Sequence, residues 1–244
     1  MASHPESASP ARIDRRFYLA VSFAIAACIV VGFGPTYFFR GLSDLPALPL
    51  IVHAHGLVFS AWIALLLTQV VLIRSGRPAL HRRLGVVGVA LALLMLILGT
   101  VVTLVRAPLA TDLEDLFYAL GFADLVMFAS FFSAAIVMRA RSDYHKRLML
   151  LATVAIIDAG VNRLPFMQMF GGISSTNYLH LFALFFLTDI PIFAGLAYDY
   201  VARRIVHPAV LWGGIVLIVS QVIRVAIIET DMWQAVTASL LRAT

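Results

Sequence analysis

Seven apolar runs divide the chain, at about 17–38, 50–73, 84–106, 116–138, 147–166, 178–201 and 209–229. A hydrocarbon core about 30 Å thick is crossed by roughly 20 residues of helix, each rising about 1.5 Å. Each run therefore predicts one membrane-spanning helix. The polar connectors are short and leave no room for a soluble domain. After Glu229 the stretch DMWQAVTASLL is too short to span and is amphipathic, which predicts a helix lying in the membrane interface. The predicted architecture is all-α and polytopic, with seven transmembrane helices. It comprises a polar tail over 1–16, a membrane domain over 17–229 and a short interfacial tail over 230–244.

Composition agrees with the pattern. The 244 residues are 61% hydrophobic and 13% charged, whereas soluble domains run at about 45–50% and about 25%. The net charge of +5 does not signal nucleic acid, because the basic residues fall in short clusters between apolar runs. The bilayer is the predicted partner. A single cysteine, Cys28, rules out a disulfide framework within the chain. The IAAC around it superficially resembles a lipoprotein cleavage site. The chain stays apolar afterwards, so the first run reads as an uncleaved span.

Basic residues also set the expected orientation, because cytoplasmic loops are enriched in Lys and Arg. Arg12, Arg15 and Arg16 precede the first run, and Arg74, Arg77, Arg82 and Arg83 join the second to the third. Arg139, Arg141, Lys146 and Arg147 join the fourth to the fifth, and Arg203 and Arg204 the sixth to the seventh. One side thus holds 13 of the 18 basic residues, and the opposite loops carry Asp44 and the acidic TDLED at 111–115. The N-terminus is expected in the cytoplasm and the C-terminus outside.

Three of the basic connectors echo one another. RPALHRRL at 77–84, RSDYHKRL at 141–148 and RRIVH at 203–207 each place an Arg four positions before a His: Arg77 and His81, Arg141 and His145, Arg203 and His207. The histidines are 64 and 62 residues apart. The spacing predicts a single span followed by three related hairpins, about 50–106, 116–166 and 178–229. Two readings of the motif are open. The arginines can hold helix ends in register by snorkelling, with each His as an interfacial residue. Alternatively the three histidines, at one depth, converge on a metal or haem iron.

Polar residues inside the apolar runs are costly in lipid and mark candidate sites. The second run opens VHAHGLVFSAW, with His53 and His55; His55, Trp62 and Gln69 recur every seven residues on one helix face. Asp124 lies in the fourth run, Asp158, Asn162 and Arg163 in the fifth, His180 and Asp189 in the sixth, Gln221 and Arg224 in the seventh. By helical rise His53, His55, Asp124, Asp158, Asn162, Arg163, His180 and Arg224 fall in the outer half, and Asp189 sits lower. These residues can pair internally in a salt-bridge network joining the last four spans, with no ligand. They can equally form a site. His55 and His180 are then the candidate ligands of a transition metal or of haem b. A quinol, its protons handled by a histidine and an acid, and a small anion on Arg163 and Arg224 remain open.

Comparison with known families removes some options. Retinal requires a lysine in the last span, and Lys146 sits on a turn. The topology matches the progestin and adiponectin receptor and ceramidase group, but LWGGIVLIVSQVIRVAI lacks that group's zinc-binding histidines. The segments HAHGLVFSAW, ALHRRLG and DYHKRLMLLA, across the second to fifth runs, resemble bacterial multi-pass proteins of the domain of unknown function 2306 type. That resemblance implies a bacterial inner-membrane protein and no particular activity. A redox-linked protein binding haem, metal or quinol is the leading expectation; a carrier or sensor, or an assembly partner, are the competing ones.

Overall fold

A computed structural model describes residues 10–42, 44–106, 113–174 and 176–243. Among them all regular structure is helical: α1 (Pro10–Phe33), α2 (Leu50–Arg74), α3 (Pro78–Arg106), α4 (Glu114–Val137), α5 (Ser142–Val154), α6 (Asp158–Val161), α7 (Tyr178–Arg203), α8 (Pro208–Ile227) and α9 (Asp231–Ala243). Six helical stretches are long and apolar enough to cross a membrane: Asp14–Phe38, Leu50–Arg74, Pro78–Arg106, Glu114–Val137, Tyr178–Arg203 and Pro208–Ile227. The outer surface is studded with exposed apolar side chains such as Phe23, Val86, Ile97, Val126, Trp212 and Val222. Such a surface suits lipid and not water.

The fifth apolar run departs from the expected continuous helix. α5 ends at Val154, and the next residues tighten into shorter turns, Ile156 N–H donating to Thr153 O (3.2 Å) and Ile157 N–H to Val154 O (3.3 Å). Asp158 then accepts from the Ala159 N–H at 2.6 Å. The short α6 follows, and the chain leaves it through an extended Leu164 into a 3₁₀ turn at Pro165–Phe170. The cause is local. Asp158 bonds its own backbone in competition with the helix ladder, and Pro165 forces its predecessor out of helical geometry. Irregular backbone at membrane depth survives only where protein covers it; Ile157, Asp158, Gly160 and Val161 are all buried.

α1 covers this break. Gly32 of α1 lies so close to Gly160 of α6 that a β-carbon on Gly32 would collide with the Gly160 carbonyl oxygen. α1 also begins inside the stretch expected as polar tail, since helix starts at Pro10; residues 1–9 lie outside the described residues. At the other end α9 is not a free interfacial helix. Trp233 Nε1–H donates to the Asp115 carbonyl at 3.1 Å and Thr237 hydroxyl to the Asp115 carboxylate, which pins α9 to the start of α4.

α2–α3, α4–α5 and α7–α8 are helical pairs in contact. Their turns meet at the end of the bundle where α1 begins, the near end. Asp14 of α1 contacts Lys146 of α5 and Arg203 of α7, and His81 of α3 faces His145 of α5. In the first two turns the backbone N–H of the motif His bonds the Arg carbonyl, at 3.2 Å for His81 and Arg77 and 2.9 Å for His145 and Arg141; these are the ordinary first bonds of a helix and do not support the expected repeat. The third differs. Arg203 closes α7, Arg204 adopts a left-handed conformation (φ 59°), and His207 caps α8 by accepting from the Ala209 N–H at 3.1 Å. The core between the pairs is aromatic and aliphatic: Trp62, edge-on to Phe128 and Phe132, with Met95, Leu151 and Leu184.

Candidate functional site

A cavity of about 210 Å³ opens between α1, α2, α4 and the break before α6. Its walls are largely apolar (Ile29, Phe33, Phe38, Phe59, Ile157) and the polar side chains facing it are Tyr37, His55, Ser60 and Asp124. Each wall has a sequence cause. The π-helical turn Gly34–Phe38 that ends α1 presents Tyr37. Gly56 lets the Tyr37 ring lie against α2, where any β-carbon would strike the phenol ring, and the Tyr37 hydroxyl donates to the His53 carbonyl at 3.2 Å.

His55 stacks on Phe59, ring centres 4.1 Å apart. Its Nδ1 is buried with no hydrogen-bond partner, while the ring interacts with the Leu98 backbone. A buried ring nitrogen without a partner is costly, and it belongs to a residue that lines the cavity. Asp124, on α4, accepts from Arg224 Nη1 of α8 at 2.5 Å and interacts electrostatically with Asp158, so the three side chains form one polar trio. Arg163 completes the rim: it is exposed, lies 4.7 Å over the Phe33 ring, donates to the Ala159 carbonyl at 2.6 Å, and interacts electrostatically with Asp158 and His55.

The other expected site residues divide into two groups. Asp189 accepts from Gln221 Nε2 at 2.9 Å, both buried, and feels Arg224 electrostatically, so it extends the polar trio toward mid-bundle. Asn162 and His180 form a separate latch. His180 Nδ1 bonds the Gly171 carbonyl and its Nε2 the Asn162 amide, each at 2.7 Å, and Asn177 caps α7 through the His180 N–H. His53 is exposed.

The expected metal or haem ligation by His55 and His180 is corrected by this geometry. Both ring nitrogens of His180, which is 1% exposed, are spent on hydrogen bonds, leaving no lone pair for an ion. Among the described residues no three His, Cys, Asp or Glu side chains come together as a metal-holding group. The donor set of this cavity therefore does not fit haem or a metal.

A second polar cluster, at the near end, was missed from sequence. Arg147 and Asp199, each 1% exposed, form a buried ion pair. Arg147 also donates to the Asp143 carbonyl at 2.9 Å, and the His207 N–H to Asp199 at 3.2 Å. His207 Nε2 bonds the Asp143 carboxylate at 3.0 Å; since its Nδ1 accepts from Ala209, the neutral ring carries its proton on Nε2. The hydrogen bond from His207 holds the Asp143 carboxyl below its ordinary range. Asp14 gathers Lys146, Tyr198 and Arg203. The signal in the sequence is Asp199, an acid closing an apolar run four residues before Arg203; by sequence alone Arg147 and Lys146 mark only topology.

No protein-family model matches the chain, and no curated protein or solved structure shows significant similarity to it.

Proposed function

We propose that this chain is a bacterial inner-membrane protein that binds the hydroxylated ring of a quinol-class molecule in the cavity beside His55. The observation that carries the reading is the partnerless Nδ1 of His55, on a residue that lines an apolar, aromatic slot together with Asp124. Ligand pockets of this kind are mostly apolar with a few placed polar groups. About 210 Å³ is small for a whole drug-sized molecule and suits a ring whose tail stays in lipid. His55 Nδ1 accepts the ring hydroxyl, and the Asp124 carboxyl, which also lines the cavity, offers a place for a proton beyond it.

The same reading takes seven crossings with the N-terminus in the cytoplasm. α5 starts at the near end, and α7 finishes there against Asp14, so the α5–α6 segment has to carry the chain to the far end. The positive charges gather at the near end, which the positive-inside tendency assigns to the cytoplasm. The site then faces the outer leaflet.

A second reading, a purely structural role for the buried charges, is favoured by the internal pairing of Arg224 with Asp124. Titration of the protein in lipid nanodiscs with a short-tailed ubiquinone analogue separates the two. On the first reading the wild type binds saturably and His55→Ala weakens binding about tenfold or more, the loss of roughly 1.4 kcal/mol or more expected for a buried polar contact. Absent binding by the wild type, or binding unchanged in His55→Ala, sinks it. Asp124→Asn lowering thermal stability without touching affinity favours the structural role.

A further inference from the structure

At the near end three acceptor atoms lie in one neighbourhood, two of them buried without partners. His81 Nδ1 is buried and unbonded, and so is the Gln69 side-chain oxygen Oε1. The His81 ring interacts with the Gln69 backbone, which places α2's last turns beside α3's first. The third is on α5. His145 Nδ1 bonds the Ala135 carbonyl at 2.9 Å; a carbonyl only accepts, so in the neutral ring the proton sits on Nδ1 and Nε2 keeps a lone pair. The His81 and His145 rings are perpendicular with centres 6.2 Å apart. Two buried acceptors that no donor reaches, beside a third ring lone pair, call for an electropositive guest.

We propose that Gln69 Oε1, His81 Nδ1 and His145 Nε2 form a binding site for a d¹⁰ transition-metal ion, zinc or copper(I). With metal–nitrogen bonds of about 2.0–2.1 Å, two imidazoles on one ion have ring centres roughly 5 to 6.4 Å apart, according to the angle at the ion. The observed separation lies toward the open-angle end, which two-imidazole coordination of copper(I) favours. The surroundings match what metal-bound histidines need. The His145 ring is held by the Ala135 carbonyl at its other nitrogen, the usual device for fixing tautomer and raising ligand basicity, and the His81 ring lies against the Gln69 backbone. Imidazole is an ordinary ligand for both ions, and an amide oxygen is a weaker third donor. The neighbouring Arg82 and the neutral donor set disfavour hard dications such as calcium or magnesium, which take charged oxygen ligands.

His207, the third motif histidine, is excluded. Its two nitrogens are committed to Asp143 and Ala209, so the site uses two of the three echoes and joins the first two hairpin turns.

The site is independent of the quinol reading, since it lies at the opposite end of the bundle. The test is stoichiometry and affinity for zinc, and separately for copper(I), by metal analysis and competition with a chromophoric chelator on detergent-purified full-length protein. The His81→Ala/His145→Ala double variant is the baseline. The proposal expects one ion per chain above that baseline. His81→Ala, His145→Ala and Gln69→Leu each weaken binding about tenfold or more, and His53→Ala binds as the wild type does. Bound metal also raises the unfolding temperature of the wild type and not of the double variant. Wild type that binds neither ion above the baseline overturns the site, whatever the variants' folding. So does unchanged affinity in any of the three ligand variants.

Discussion

Histidine carries the clearest lessons at the scale of single residues, because its use is decided by what its two nitrogens touch. His55, His180, His81, His145 and His207 look alike in the sequence as polar points in or beside apolar runs. In the fold His180 and His207 are saturated, whereas His55 and His81 each keep an orphaned nitrogen. No spacing rule reports that difference, since the partners of His180 are a loop carbonyl and an amide 18 residues away. His207 also sets a pH response. Its bond holds the Asp143 carboxyl below the ordinary 3.8, so in the folded protein Asp143 loses its charge at lower pH than in the unfolded chain. The stabilisation is fully present above the unfolded value and is lost as pH falls through the folded one. Thermal unfolding followed from about pH 5 to about pH 3 should therefore fall more steeply for the wild type than for Asp143→Asn. The effect is small, because Asp143 is solvent-exposed. His207→Ala should flatten the same slope and in addition cost about 0.5–2 kcal/mol for the lost cap.

Elements were legible wherever one residue type dominated a run. Six of the seven apolar runs became long helices close to their expected limits. The seventh, 147–166, did not stay one helix, because periodicity counts apolar residues while Asp158 and Pro165 act through the backbone. The break lines the cavity with Ile156, Ile157 and Ala159, and α1 packs against α6 at Gly32 and Gly160. Gly32→Ala should push α1 off α6; with backbone as the obstacle, relief comes only by separating the helices. Its expected signature is a lowered unfolding temperature together with weakened ligand binding, measured on one preparation. The buried Arg147–Asp199 pair ties α5 to α7 in the same way. Removing one partner strands a charge, so Arg147→Met or Asp199→Leu alone should cost about 3–5 kcal/mol. The double variant should recover much of that loss, because two apolar side chains leave nothing unpaired. A double variant as unstable as the singles would show that the carboxylate's further bonds to the His207 N–H matter more than the pair. Nothing in the sequence joined Arg147 to Asp199, which are 52 positions apart.

For the whole molecule the deciding quantity is the direction in which the chain leaves the α5–α6 segment. Were that segment re-entrant, α7 would begin at the near end and finish at the far end. Arg203 at the close of α7 instead meets Asp14 at the start of α1, at 2.9 Å, and the Arg147–Asp199 pair ties the start of α5 to the end of α7. Both contacts favour a segment that crosses. The chain has one cysteine, partly buried Cys28, so Cys28→Ser provides a silent background for accessibility mapping. Single cysteines can then be placed at three exposed positions: Ser75 in the α2–α3 turn, Gln168 in the 3₁₀ turn after α6, and Arg242 in α9. With seven crossings and a cytoplasmic near end, a membrane-impermeant maleimide applied to intact bacteria should spare Ser75→Cys until the membrane is opened. Where the outer membrane admits the reagent, it should label Gln168→Cys and Arg242→Cys from outside. Labelling of Ser75→Cys with sparing of the other two would invert the orientation. Gln168→Cys and Ser75→Cys on one side would make the α5–α6 segment re-entrant, and the cavity beside His55 would then need a different route to the bilayer surface.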